Sequence, residues 1–177
     1  MARISCEATS VEVQNLHSAV PVDVLGPLVR GNATLHHLGF VVGSIARAAN
    51  GFAAALSARW DNQIIHDPLQ KVRVAFFYPL DARNPVFELV EPAGDDAPVR
   101  DFLKEGGGLH HMCYEVDDLE LCLRDARCGR LAVISTPTPA VAFGGRGIAW
   151  LGSRNRLLME LLERRMPPAD VDHEKRL

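Results

Sequence analysis

The chain predicts an α+β fold built from a duplicated strand–helix–three-strand module, and three observations predict it. The apolar stretch LHHLGFVV at Leu35–Val42 returns as LHHMCYEV at Leu109–Val116, an offset of 74 residues. An amphipathic segment follows each copy. Strand-like runs further on overlay at nearly the same offset: KVRVAFFYP (Lys71–Pro79) on GRGIAWLGS (Gly145–Ser153), and VFELVEP (Val86–Pro92) on LMELLER (Leu158–Arg164). A fixed internal period marks a duplicated unit.

The elements follow in order. Each LHH run is short, apolar and bounded by polar residues, as a strand requires. In the first half Ser44 stands at a helix N-cap, and Ile45, Ala48, Ala49, Phe52 and Ala55 form an apolar stripe behind it. In the second half Asp117 and Asp118 occupy the capping position before Leu119, Leu121, Cys122 and Ala126. The second strands, near WDNQIIHD and RLAVISTP, are the weakest. Module one spans residues 35–92 and module two residues 109–164. Residues 93–108 join them, with a short helix at APVRDFLKE and a flexible turn at GGG. Residues 1–34 form an N-terminal extension and residues 165–177 a polar tail, in which His173 is no ligand.

Composition narrows the function classes. The chain has 177 residues, 47% apolar and 23% charged, enough for one domain with a real core. A net charge of -3 gives no reason to expect nucleic acid or an anionic membrane as partner. No apolar run approaches a membrane span, and MARISCEATS has no signal core, so a cytoplasmic protein is expected. Cys6, Cys113, Cys122 and Cys128 show no CxxC spacing and read as reduced thiols.

The repeat also duplicates chemistry. His37 matches His111, and Glu88 matches Glu160 within otherwise apolar strands. A carboxylate buried in a strand is costly unless something pairs with it. Two imidazoles and two carboxylates, one of each from each half, suit a divalent first-row metal ion. Adjacent strand residues face opposite sides, so one histidine of each pair points inward. Periodicity does not choose between His36 with His110 and His37 with His111.

Residues 35 to 164 resemble the vicinal-oxygen-chelate superfamily, the glyoxalase and bleomycin-resistance fold. Within it the chain is most similar to the methylmalonyl-CoA epimerase family, above all in GLHHMCYEVDDLE (Gly108–Glu120), LHHLGFVV, FELVEP and VRDFLKEGGGLHHM. The resemblance implies that two βαβββ modules form an eight-stranded, open, barrel-like sheet. It implies metal ligands at His37, Glu88, His111 and Glu160, with Glu160 also the acid/base. His36 and His110 then face the other side of the sheet. It implies a divalent ion (Co, Mn, Ni, Zn or Fe) that stabilises the enolate of an acyl thioester or related small molecule. It also implies a homodimer.

One position departs from the family pattern. Epimerisation needs a second acid/base on the opposite face of the substrate. The resemblance places Val74 there, with Arg73, His66 and Gln70 nearby and none a convincing replacement. An isomerase, epimerase or lyase is therefore the leading expectation. Other enzymes of the superfamily (glyoxalase or dioxygenase type), or a non-catalytic binding or resistance protein, are the alternatives. In AVAFGGRGIAW, Gly144, Gly145 and Arg146 are candidates to contact an anionic substrate group, against the simpler reading of a glycine turn. Phe76, Phe77 and Trp150 read as core, with some of them at the pocket. Glu91 and Glu163, at strand ends, read as solvent-facing.

Overall fold

The structure is a computed structural model that describes residues 28, 31–128 and 131–165. Residues 1–27 of the extension, 166–177 of the tail and the thiols of Cys6 and Cys128 lie outside the described residues.

Module one contains β1 (Thr34–Val41), α1 (Ile45–Ala55), β2 (Ala58–Arg59), β3 (Ile65–Asp67), β4 (Val72–Pro79) and β5 (Val86–Pro92). The short helix α2 (Arg100–Lys104) leads to module two: β6 (Gly108–Val116), α3 (Leu119–Cys128), β7 (Ala132–Val133), β8 (Thr138–Pro139), β9 (Gly147–Gly152) and β10 (Leu158–Glu163). Both helix starts are capped as the sequence predicts. The Ser44 hydroxyl accepts from Arg47 N at 3.4 Å, and an Asp118 carboxylate oxygen accepts from Leu121 N at 2.8 Å.

The strands run β2-β4-β5-β1-β6-β10-β9-β7, with β3 on β4 and β8 on β9. Each module pairs its first strand in parallel with its last, and the modules join through antiparallel β1 and β6. The sequence predicts eight strands; among the described residues ten segments form the sheet, because each module's second strand is broken in two. The polar runs between Arg59 and Ile65 and between Val133 and Thr138 interrupt pairing in both halves at matching places. The sheet stays open, and side chains bridge its far ends. Asp67 accepts from Val141 N at 2.9 Å, and Gln70 Nε2 donates to Thr138 Oγ1 at 3.2 Å.

Strand alternation divides the interior. Ala75, Phe77 and Leu89 pack beneath α1, and Ala149, Leu151 and Leu161 pack beneath α3. Intervening residues of the same strands, Val72, Val74, Val90 and Ile148, face the concave side. There they line a cavity of about 320 Å³. Gly106, Gly107 and Gly108 all have positive φ, which explains the glycine run entering β6.

Candidate metal centre

The four central strands each contribute one fully or nearly fully buried polar side chain to a single cluster: Glu88 from β5, His37 from β1, His111 from β6 and Glu160 from β10. Register makes them converge. Gly39 of β1 lies opposite both Glu88 and His111, while Cys113 of β6 lies opposite both His37 and Glu160. Relative exposure is 0% for His37, 5% for Glu88, 4% for His111 and 4% for Glu160.

The nitrogens His37 Nε2 and His111 Nε2 are 3.2 Å apart. Glu88 Oε2 lies 3.4 Å from each of them. Glu160 Oε2 lies 3.3 Å from His37 and 3.6 Å from His111. Donors each about 2.1 Å from one ion, at tetrahedral or octahedral angles, would stand roughly 3.0–3.4 Å apart. His37, Glu88 and His111 fit a divalent cation in donor type and spacing, and Glu160 adds a second carboxylate close to both imidazoles. His37, Glu88 and His111 would hold it with Glu160.

Electrostatics agree with that use. Burial opposes a charge on His37, but the Glu88 charge and hydrogen bonds to Glu160 and Glu88 outweigh it and raise its pKa to about 10. Burial likewise opposes ionisation of Glu88 and Glu160, yet the two histidines hold both carboxyls below their ordinary range. Burial first, then the Glu160 charge, pushes the Cys113 thiol well up. Cys113 and Cys122 form no disulfide.

His36 and His110 do not stand on the opposite side of the sheet. The pairing of β1 with β6 skips residue 36 between Leu35 and His37, and it skips residue 110 between His111 and Leu109. Each first histidine is thus the extra residue of a β-bulge, where strict alternation fails. His36 Nδ1 lies 2.9 Å from His37 Nδ1, and His110 Nδ1 lies 3.2 Å from His111 Nδ1. Burial lowers the pKa of His36, and lowers that of His110 to about 4, with the neighbouring histidine as second cause.

Aromatic rings complete the enclosure. Phe76 and Trp150, at equivalent places in the repeat, stand edge-on to His37 and His111 at centroid distances of 5.9 and 4.9 Å. Phe77 instead packs on the helix side, stacked on Trp60. Sequence reading missed Phe143, which stacks on His37 at 5.8 Å from a short 3-10 turn. It also missed Asp67, whose carboxylate takes the backbone N–H groups of Leu69, Gln70 and Val141.

The other named candidates are placed elsewhere or are engaged. Val74 lines the cavity with Glu88, and so does Gln70. Arg73 turns away to Glu91, whose carboxylate also accepts from Ile45 N at 2.7 Å at the start of α1. Glu91 therefore serves the module instead of facing solvent. Glu163 is exposed and accepts from Gly147 N. His66 is exposed. Arg146 is bound to Glu115 at 2.6 Å and to backbone carbonyls, outside the cavity lining. Gly144 and Gly145 form a left-handed turn, with φ of 65° and 83°, and are not brought to the cavity.

Comparison with known proteins agrees with this architecture. The profile of the glyoxalase/bleomycin resistance protein/dioxygenase superfamily matches residues 36–150. An ethylmalonyl-CoA/methylmalonyl-CoA epimerase of Cereibacter sphaeroides is 30% identical over 136 residues, 72% of this chain and 95% of that protein. The mitochondrial methylmalonyl-CoA epimerase of Dictyostelium discoideum is 36% identical over 85 residues, 46% of this chain; the match spans about half, 51%, of that relative's length. The solved methylmalonyl-CoA epimerase of Mycobacterium tuberculosis shares the fold, with a TM-score of 0.65 and 21% identity over 75% of this chain and 88% of that one. Among the described residues no helix is long and apolar enough to cross a membrane. The chain belongs to the glyoxalase/bleomycin resistance protein/dioxygenase superfamily.

Proposed function

We propose that the chain is a divalent-metal-dependent isomerase, epimerase or lyase that removes the α-proton of an acyl thioester, with Glu160 as the base. The observation that carries this reading is the convergence of two imidazoles and two carboxylates at the floor of an apolar cavity lined by Glu88, His111 and Glu160. The named relatives, epimerases of acyl-CoA compounds, support the substrate class.

A bound divalent ion would supply Lewis-acid stabilisation of the negative charge that develops on the substrate oxygen. The protein does the rest. Val72, Val74, Val90 and Ile148 exclude water around the reacting carbon. The Glu160 carboxylate faces that cavity and accepts the proton. Val74, where the family resemblance puts a second acid/base, also lines the cavity and moves no proton. Asp67 on the same rim is occupied by three backbone donors. Return of the proton to the face it left is therefore faster than delivery to the other face, so exchange outruns inversion and epimerisation is the slower outcome.

The test is proton NMR of acyl-CoA thioesters with the metal-loaded protein in deuterated water. Loss of the α-proton signal with configuration retained is the expected result. No exchange by fully loaded protein across malonyl-type and simple acyl thioesters would overturn the reading.

A further inference from the structure

We propose that His36 and His110 are positioning residues: each accepts a hydrogen bond from the Nδ1–H of the histidine that follows it, fixing that ring in the tautomer whose Nε2 lone pair faces the other three donors. The inference rests on the metal-site reading above.

The geometry requires a donor and an acceptor in each pair. Nδ1 to Nδ1 is 2.9 Å between His36 and His37 and 3.2 Å between His110 and His111, both hydrogen-bond distances. The rings meet nearly edge to face, at interplanar angles of 79° and 89°. A neutral imidazole carries one hydrogen. If His37 is to offer Nε2 to an ion, its hydrogen sits on Nδ1, and among the described residues the partner of that nitrogen is His36 Nδ1. The reverse arrangement, with His36 donating, would leave the His37 hydrogen on Nε2, pointing into the ligand cluster. The direction of this one bond therefore decides whether the ligand is ready. The same logic holds for His110 and His111.

Two further observations favour design over coincidence. The contact occurs twice, in each module, through a bulge at the equivalent residue. The first histidine is itself braced, His36 edge-on to Phe143 at 5.6 Å and His110 edge-on to Phe102 at 4.8 Å. His36, His37 and Cys113 also lie close enough to hold a second ion. The repeat argues against that use: at His110 and His111 the residue equivalent to Cys113 is Gly39, and the histidine contact persists without a thiol.

Nitrogen-15 NMR of the zinc-loaded chain reads tautomers directly. Expected are His37 and His111 with protonated Nδ1 and metal-bound Nε2. His36 and His110 should have bare Nδ1 and protonated Nε2, with a scalar coupling across each Nδ1–Nδ1 pair. Protonated Nδ1 on His36 and His110 in zinc-loaded protein would overturn the inference and leave the metal site standing. Zinc that does not bind at all would overturn the metal reading itself. Variants give a second readout. His36→Phe and His110→Phe remove the acceptor and keep a ring, and zinc affinity should fall about 10–100-fold. His36→Asn and His110→Asn keep an acceptor and should recover most of it. Phe variants that bind zinc like the wild type, or Asn variants as impaired as Phe, would contradict the proposal.

Discussion

Gly39 lies directly beneath the His111 ring. A Cβ built on it would come within 2.0 Å of His111 Cε1 and 2.5 Å of both ring nitrogens. The equivalent residue of module two, Cys113, keeps a side chain, which is fully buried. The two half-sites are thus related but unequal: a thiol stands in module two where module one has no side chain. Gly39→Ala should displace His111, weaken zinc binding at least tenfold, and cost about 1–3 kcal/mol of stability from overpacking. Zinc titration and thermal unfolding of the metal-free variant check both.

Metal uptake should tighten as pH rises. In the metal-free chain the Glu88 charge and the Glu160 hydrogen bond hold a proton on His37 up to about 10, against the effect of burial. That proton occupies a lone pair an ion needs, so binding must release it, and lower proton activity favours binding. Calorimetry in buffers of different ionisation enthalpy, at about pH 6 and about pH 8, measures the release. Affinity that does not change over this range would contradict the reading.

Val74→Glu tests the one-sided mechanism. It places a carboxylate on the cavity wall that lacks an acid/base. Inversion of an α-chiral acyl thioester should rise about 100-fold or more relative to wild type, the usual contribution of a positioned acid/base. Chiral analysis of recovered thioester reads the outcome.

Asp67→Ala tests the bridge between the sheet's far ends. It leaves the N–H groups of Leu69, Gln70 and Val141 without their acceptor. A stability loss of about 1–3 kcal/mol follows from stranded donors. Metal content should not change, because Asp67 touches no ligand, while KM should rise as the turn bearing Phe143 loosens. Unfolding, elemental analysis and exchange kinetics separate these effects.

Much of this was legible in the sequence because it is written twice. Duplication exposed the modules, their helix caps, the two histidine pairs, and Glu88 and Glu160, which one copy would not have distinguished from core residues; the family resemblance picked His37 and His111 from the pairs. Other features carry no periodic signal. A bulge adds one residue without marking the sequence, so His36 and His110 were placed on the wrong face. The breaks within the second strands depend on pairing across the sheet. Asp67 with Val141, and Arg146 with Glu115, are long-range partners that only the folded sheet brings together.

The most direct test of the central claim is metal content by elemental mass spectrometry after exhaustive dialysis, with wild type beside His111→Ala. The account predicts roughly one divalent ion per chain in the wild type and little in the variant. A wild type that stays empty after challenge with Co, Mn, Ni, Zn and Fe(II), or a variant that holds as much metal as the wild type, would contradict it.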